Sequence, residues 1–364
     1  MSKASGAHVI IDIGTYQTRA GLANDSAPRV VQPTLVGRGV GENKNVTYVG
    51  SAARASREGI VLSQPVREGE IRDWDDVEAI LRDVLVDKLG VETQDRNVLL
   101  IASPSLDPQA KEKMAQIMFE KFQVAGLFVA NSGVLSLYAA GRLAGVVLEA
   151  GDGVIHAVPV HEGFALPKAV TRWAFGGSGQ SEFLCKQLSE KGYNLSDNPE
   201  AVREIKESLC YVAKSYDLEM AKASDTSFQK TFKLPDGKVV TLGSEMVKTS
   251  EILFTPSVGG LSTSGVVALL NEAIEKCTAE QQKVMYGNIV LAGGPTLATG
   301  FVERMKKEVK TRAAYANVVA SEHREHAAFI GGSTLAALDD FQSMWVTAAE
   351  YKQKGAGVIH DKCK

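Results

Sequence analysis

Hydrophobic positions along this chain follow two alternating periods. Short apolar runs bounded by glycine, proline and asparagine predict strands over residues 8–24, Arg29 to Gln32, Asn97 to Ala102, Ala125 to Ala130, Gly145 to Val170 and Asn288 to Ala292. Between them, apolar residues recur at helical spacing. Val77, Ile80, Leu81 and Val84 follow Trp74-Asp75-Asp76. Met114, Ile117, Met118 and Phe122 follow Asp107-Pro108, a good cap and first-turn pair. Val134, Leu135, Leu137 and Tyr138 run to Gly141. The methionine-bearing stripe reads as core rather than as a binding face. Further helices are expected over Phe183, Leu184 and Leu188 after Gly176-Gly177-Ser178-Gly179, and over Ile205, Leu209 and Val212. Others are expected over Val266 to Cys277, Phe301 to Val309, and Ile330 to Leu338. Phe232 to Leu242 predicts a hairpin turning on Pro235-Asp236-Gly237. Val36 to Thr47, with Gly37, Gly39 and Gly41 alternating and Asn43, Lys44 and Asn45 following, reads as a loop. Met1 to Ala7 reads as a frayed tail and Trp345 to Lys364 as a docked one. The mixture of periods predicts an α/β protein.

Two of the apolar runs share a design. Val9-Ile10-Ile11-Asp12-Ile13-Gly14-Thr15-Tyr16 and Gly145-Val146-Val147-Leu148-Glu149-Ala150-Gly151-Asp152-Gly153-Val154 each pair a β run with a carboxylate and a glycine turn, then resume as β. Such a turn lets backbone N–H groups approach an anion closely. Two turns facing each other would clamp a polyphosphate, with Asp12 placed for its Mg²⁺. Either turn alone also fits an ordinary glycine hairpin; the pair is far more specific. Neither is a GxxxxGK[ST] phosphate loop or a GxGxxG dinucleotide fingerprint. Gly293-Gly294-Pro295 after a strand forms a third glycine turn. The expected arrangement is two β/α halves, each opening with a β–glycine-turn–β unit, with a nucleotide in the cleft between them.

Composition changes this picture little. The chain has 364 residues, 45% hydrophobic and 23% charged, which suits about two or three globular units. A net charge of −3 gives no electrostatic basis for direct contact with nucleic acid or an anionic membrane. Neither a signal peptide nor an apolar run long enough to span a bilayer is expected. Cys185, Cys210, Cys277 and Cys363 lack CxxC spacing, which fits a reducing compartment and argues against disulfides or zinc. His323 and His326 read as part of a solvated segment.

Several stretches carry a resemblance to a known family: IDIGTYQTRAGLAND, Arg72-Asp73-Trp74-Asp75-Asp76, KEKMAQIMFEKF, VLSLYAAGR, GDGVIHAVPVHEGFALP, IKESLCYVA, LPDGKVVTLG, LAGGP, IGGSTLAAL and FQSMW. The chain resembles actin and the actin-related proteins over nearly its whole length. That resemblance implies the actin-like ATPase fold, with two duplicated β/α halves and four subdomains around a nucleotide cleft. Subdomain 1 would take residues 1–33, 65–139 and 326–364, and subdomain 2 would take 34–64. Subdomain 3 would take 140–175 and 262–325, and subdomain 4 would take 176–261. It implies ATP or ADP with Mg²⁺ as cofactor. Asp12, Gly14, Thr15, Tyr16 and Gln17 would form the first phosphate loop, with Arg19 where actin has a lysine, and Gly151, Asp152 and Gly153 the second. Asp12 and Asp152 would reach the metal through water. Gly177, Lys206, Glu207, Gly293, Gly294, Leu297 and Glu325 would line the nucleoside side.

The departures from actin bear on activity. Ser132 stands where actin has the glutamine that positions the attacking water, and serine is too short for that task. Glu149 replaces the second-loop aspartate, one methylene longer. The water-orienting histidine is kept as His156. Hydrolysis by positioning and electrostatics should therefore be slowed by orders of magnitude. Tyr16 replaces a glycine, so its ring either crowds the terminal phosphate or points away; tyrosine here is shared with nuclear actin-related proteins. Glu325 replaces a lysine near the adenine. The loop between Arg38 and Tyr48 is shorter than actin's DNase-binding loop, the plug segment reads Val258-Gly259-Gly260-Leu261, and Glu68 and Glu58 replace a histidine and an arginine. These changes argue against a self-filament. Tyr138, Gly141, Leu335, Leu338 and Met344 match the apolar groove between subdomains 1 and 3, where actin-binding helices dock.

The reading that follows is a nucleotide-binding structural subunit of a larger assembly, with weak or absent hydrolysis. Dynein- or dynactin-type machinery in the cytoplasm or cytoskeleton is one setting, and a nuclear chromatin-remodelling complex is another. A polymerising divergent actin ATPase is the main alternative. A sugar kinase or chaperone ATPase of the same superfold is disfavoured by the LPDGKVVTLG and FQSMW matches.

Overall fold

The computed structural model describes residues 7–41, 44, 46–55, 59–223 and 225–363. Asn43, Asn45, Glu58 and most of the N-terminal tail lie outside them. The chain divides into two compact units. One is Met1–Val147 with Val160–Pro167 and His326–Lys364, and the other is Leu148–Pro159 with Lys168–Glu325.

The first unit opens with strands β1 (Val9–Ile13), β2 (Gln17–Leu22) and β3 (Val30–Pro33). Then come β4 (Val36–Gly39), β5 (Thr47–Val49), helix α1 (Ser51–Ala55), β6 (Ile60–Ser63), β7 (Val66–Arg67) and β8 (Glu70–Ile71). They are followed by α2 (Trp74–Arg82), β9 (Asn97–Ala102), α3 (Pro108–Gln116), β10 (Gly126–Asn131) and α4 (Ser132–Ala139). The main sheet runs β10-β9-β1-β2-β3. Its central strand β1 pairs in parallel with β9 and antiparallel with β2, and Val9, Ile10 and Ile11 are fully buried. A strand covered on both faces needs such an unbroken apolar run. Asp107 caps α3 as predicted, its carboxylate accepting the Gln109 N–H at 2.7 Å, and Met114, Ile117, Met118 and Phe122 enter the core.

Val36 to Thr47 is not simply a loop. Val36–Gly39 is the middle strand of a sheet ordered β5-β4-β6. A Cβ on Gly37 would stand 3.0 Å from Ile60 and 3.4 Å from Ala53, so the glycine accommodates neighbours packed over the strand. Pairing on both sides makes the strand, and alternating glycines hide it from a local pattern.

The chain continues through β11 (Gly145–Ala150), β12 (Ile155–His161), β13 (Phe164–Ala165), β14 (Thr171–Trp173), α5 (Gly177–Glu190), α6 (Pro199–Leu209) and α7 (Tyr216–Met220). Next come β15 (Lys230–Lys233), β16 (Val239–Leu242), α8 (Glu245–Glu251), α9 (Val266–Glu275), α10 (Ala279–Gly287), β17 (Ile289–Ala292), α11 (Phe301–Lys310) and β18 (Val318–Val319). The second sheet is ordered β13-β12-β11-β17-β18, with β14 also on β12. That is the order β3-β2-β1-β9-β10 repeated, so the duplication seen in two glycine turns extends to whole sheets. Two sequence expectations shift here. Gly177, Ser178 and Gly179 form the first turn of α5 rather than preceding it. Val212 lies beyond the end of α6, its N–H donating to the Thr299 carbonyl at 2.8 Å.

The C-terminal stretch returns to the first unit as α12 (Ala327–Ala336), β19 (Val346–Thr347), α13 (Ala348–Lys354) and α14 (Ile359–Lys362). A Cβ on Gly331 would come 1.9 Å from the Leu135 carbonyl oxygen, so α12 meets α4 backbone to backbone. β19 joins the main sheet beside β10. Val358 and Ile359 are buried in its core, and the Cys363 Sγ accepts the Val129 N–H at 3.3 Å. The tail is docked, as its composition implied. No helix among the described residues is long and apolar enough to cross a membrane.

Candidate functional site

The first glycine turn joins β1 to β2, with the Gly14 N–H donating to the Gln17 carbonyl at 3.0 Å. Antiparallel register sets Asp12 opposite Arg19. Arg19 donates to the Asp12 carboxylate at 3.2 Å and to Gln17 Oε1 at 3.1 Å. Its Nε is buried with no partner among the described residues, a donor free to meet an anion. Burial pushes the Asp12 carboxyl above its ordinary range, and the charge and hydrogen bond of Arg19 pull it back. A cation arriving at Asp12 would favour its ionised form further.

Contacts from elsewhere in the first unit hold this turn. The Thr34 N–H donates to the Tyr16 carbonyl at 2.9 Å, and Gln64 Nε2 donates to the Thr15 carbonyl at 2.8 Å. Arg54 on α1 donates to the Tyr16 hydroxyl at 3.3 Å and lies 5.2 Å from its ring centroid. The ring is therefore engaged by α1.

The second turn repeats the first in its backbone. The Gly151 N–H donates to the Val154 carbonyl at 2.9 Å. A Cβ on Gly151 would stand 2.9 Å from that oxygen, as one on Gly14 would stand 3.1 Å from the Gln17 oxygen. Glu149, Gly151, Val154 and His156 carry the spacing of Asp12, Gly14, Gln17 and Arg19. His156 is thus the counterpart of Arg19, yet it carries no charge near neutrality. Burial, and secondly the charge of Arg172 across the β12–β14 pair, lower its pKa to about 4. Glu149 is half-buried at the end of β11.

Asp152 finds its cation elsewhere. Arg203 on α6 donates to its Oδ1 at 2.7 Å, with both side chains mostly buried. The first turn of α5 clamps the backbone: Gly177 and Ser178 N–H groups donate to the Gly151 and Asp152 carbonyls at 3.1 and 2.9 Å. A Cβ on Gly177 would stand 3.1 Å from Asp152 Oδ1, 3.4 Å from Lys206 Nζ and 3.5 Å from Pro295. This bare glycine gathers the second turn, α6 and the third turn around one space, with Gly153 buried behind. Lys206 donates to the Gly177 carbonyl at 2.6 Å. Burial first, then Arg203, bring its pKa down to about 8. Glu207 is largely exposed and 3.7 Å from Arg203.

The third turn is built for contact with the second. Gly293 has φ +90°, and a Cβ there would come 1.9 Å from the Ala150 carbonyl oxygen, so only glycine fits. Its N–H donates to the Arg324 carbonyl at 3.0 Å, which sets Glu325 one residue from this contact. Gly294 faces open space, and Leu297 is partly exposed at the end of the short turn Gly294–Leu297.

Ser132 is buried at the first position of α4 in the first unit, after Asn131, whose side chain accepts the Gly133 and Val134 N–H groups. The proposed groove residues also belong to the first unit. Tyr138, Leu335 and Met344 pack partly buried on its core, Leu338 is half exposed, and Gly141 has φ +68° just past α4. The Tyr138 hydroxyl donates to the Gly163 carbonyl at 3.3 Å. Leu143 and Phe164, flanking that link, are 63% and 62% exposed and were not singled out from sequence.

Sequence reasoning also missed Arg54, Gln64, Arg172 and Arg203. Only Arg203 carried a local signal: it lies one helical turn before Lys206 and Glu207, on the same face.

Fold and site together define a duplicated α/β protein with a glycine turn of the same backbone geometry in each half. The family model described as actin matches residues 4–364, and the chain belongs to the actin family. Members of this family generally bind nucleotide with Mg²⁺. The residues here fit such a ligand: bare glycines, a buried unpartnered donor on Arg19, and a carboxyl in each turn region. Among the described residues no group of three or more His, Cys, Asp or Glu side chains could hold a metal. Mg²⁺ would therefore rely on phosphate oxygens and water as well as a carboxylate, its usual habit.

Proposed function

We propose that this protein is a nucleotide-binding structural subunit of a larger cytoskeletal or motor-associated assembly. It holds ATP or ADP with Mg²⁺ and hydrolyses slowly or not at all. The observation that carries the reading is the pair of glycine turns with the same spacing and the same closing hydrogen bond. Asp12, Gly14 to Gln17 and Arg19 serve the phosphates from one turn, and Gly151 to Gly153 from the other. Gly177, Lys206, Glu207, Gly293, Gly294, Leu297 and Glu325 serve the nucleoside. Slow chemistry is supported by Ser132, whose side chain is short and buried, and by the longer Glu149. Tyr138, Gly141, Leu335, Leu338 and Met344 would receive an apolar helix of a partner, with Leu143 and Phe164 beside them. Cytoplasm is the favoured setting, and a nuclear remodelling complex the alternative.

The test is equilibrium binding of MgATP followed by phosphate release. Micromolar or tighter binding with almost no release supports the reading. Ser132→Gln with Glu149→Asp should then raise release roughly tenfold or more. Absence of saturable nucleotide binding would overturn it. A second reading, a polymerising ATPase, draws on His156, which is retained, buried and neutral, and so able to orient water. Concentration-dependent pelleting with Mg²⁺ and ATP would favour that reading.

A further inference from the structure

Arg54 on α1 meets Tyr16 of the first glycine turn with both a hydrogen bond and a cation over the ring. The glycine turn closes on a backbone hydrogen bond from Gly14 to Gln17. Besides the Arg19 bond to Gln17 Oε1, three contacts reach it from the segment between β3 and β7: Thr34 to the Tyr16 carbonyl, Gln64 to the Thr15 carbonyl, and Arg54 to the Tyr16 side chain. Thr34 is itself buried, its hydroxyl 2.9 Å from that of Thr18. Two of these contacts grip backbone and would survive any residue at position 16. The third exists only because position 16 is a tyrosine and position 54 an arginine.

Arg54 is well placed to act as a fastener. Its helix α1 sits against β4 and β5, with Ala53 buried over Gly37. Gly50, with φ +62°, leads into α1, its N–H donating to the Leu35 carbonyl at 2.8 Å. The guanidinium contributes both a stacked charge over the ring and a hydrogen bond to the hydroxyl. A turn that holds an anion by its N–H groups must keep them convergent, and must part from its fasteners to let the anion go.

We propose that Arg54 and Tyr16 form a clasp that ties the first glycine turn to the small β5-β4-β6 sheet and slows release of a bound nucleotide. Arg54 is a positioning residue: it acts on the ligand through Tyr16. The proposal rests on the nucleotide reading of the turn. The two contributions at Arg54 are each of modest size, so their joint loss should speed release about tenfold. Tyr16→Phe keeps the stacked cation and loses only the hydroxyl bond, so release should quicken only about threefold.

The experiment is stopped-flow displacement of a fluorescent ATP analogue from the full chain with Mg²⁺, comparing the unmodified protein with Arg54→Ala, Arg54→Lys and Tyr16→Phe. The expected result is a graded rise in dissociation rate, largest for Arg54→Ala, with association rates within about twofold. A merely structural role would instead lower association and thermal stability together. If Arg54→Ala does not fold, the graded pair Arg54→Lys and Tyr16→Phe decides. Dissociation rates unchanged across the variants would overturn the clasp while leaving nucleotide binding intact. No saturable binding by the unmodified protein would remove the nucleotide reading, and the clasp with it.

Discussion

The first and second glycine turns have one backbone and two chemistries. Both close with the same hydrogen bond at the same spacing after the carboxylate, at 3.0 and 2.9 Å. In the first, the strand-end carboxylate Asp12 is matched across its own hairpin by Arg19, and the turn is gripped by Arg54 of α1 and by Gln64 just past β6. In the second, the residue at Arg19's place is His156, held neutral by burial. Asp152, within the turn, takes its cation from a distant helix through Arg203. Both turns keep the same backbone geometry, the one that the nucleotide reading assigns to an anion. The side chains differ: the first turn is matched by a fixed cation, Arg19, and the second by a neutral imidazole, His156.

Substitutions can break that comparison, beginning with the contact that gives the second turn its support. Gly293→Ala should cost about 3–5 kcal/mol or prevent folding, because the new Cβ meets the Ala150 carbonyl at a left-handed φ. Gly14→Ala should cost only about 1 kcal/mol, its nearest atom being 3.1 Å away with no such φ. Chemical denaturation of the two variants checks the ordering, and equal losses would contradict it.

Arg19→Met comes next. It leaves Asp12 buried without its cation, so thermal stability should fall by about 3 kcal/mol and MgATP affinity roughly a hundredfold, measured by calorimetry. A variant with unchanged affinity would show that Arg19 serves only Asp12.

A loss comparable to that of Arg19→Met is expected at low pH. The folded pKa of His156 is about 4, below its ordinary 6.5, so the unfolded chain takes up its proton first as pH falls. Stability attributable to this residue is intact above pH 6.5 and is lost as the pH drops toward 4, on the order of 3 kcal/mol in all. His156→Gln should flatten that part of the pH–stability curve. An unchanged slope would mean that His156 is not the titrating group.

The smallest affinity loss among these is predicted for Arg203→Met, about tenfold, with about 1–2 kcal/mol in stability, because Lys206 remains near Asp152 as a second cation. Arg203 would then matter chiefly by aiming Asp152. A loss as large as that of Arg19→Met would make the two turns electrostatically equivalent after all.

Much of this was legible in the chain because the signals were local. Asp107-Pro108 started α3, the apolar run 97–102 formed β9, and Pro235-Asp236-Gly237 turned its hairpin. The two carboxylate-and-glycine turns were visible for the same reason, since each is a few consecutive residues. What sequence concealed depends on partners far along the chain. β4 is a strand only because β5 and β6 flank it. Arg54 and Arg203 join the site only because α1 and α6 bring them to Tyr16 and Asp152. The sequence places Gly176-Gly177-Ser178-Gly179 ahead of the helix, whereas Gly177, Ser178 and Gly179 supply the first turn of α5, because its glycines suit close packing on the second turn rather than helix propensity.

The most direct test of the central claim is to denature freshly purified protein and identify the nucleotide released. The account predicts close to one ATP per chain, still ATP after days in the presence of Mg²⁺. Bound ADP, with steady phosphate release when ATP is supplied, would show that another group positions water despite Ser132, and would contradict it.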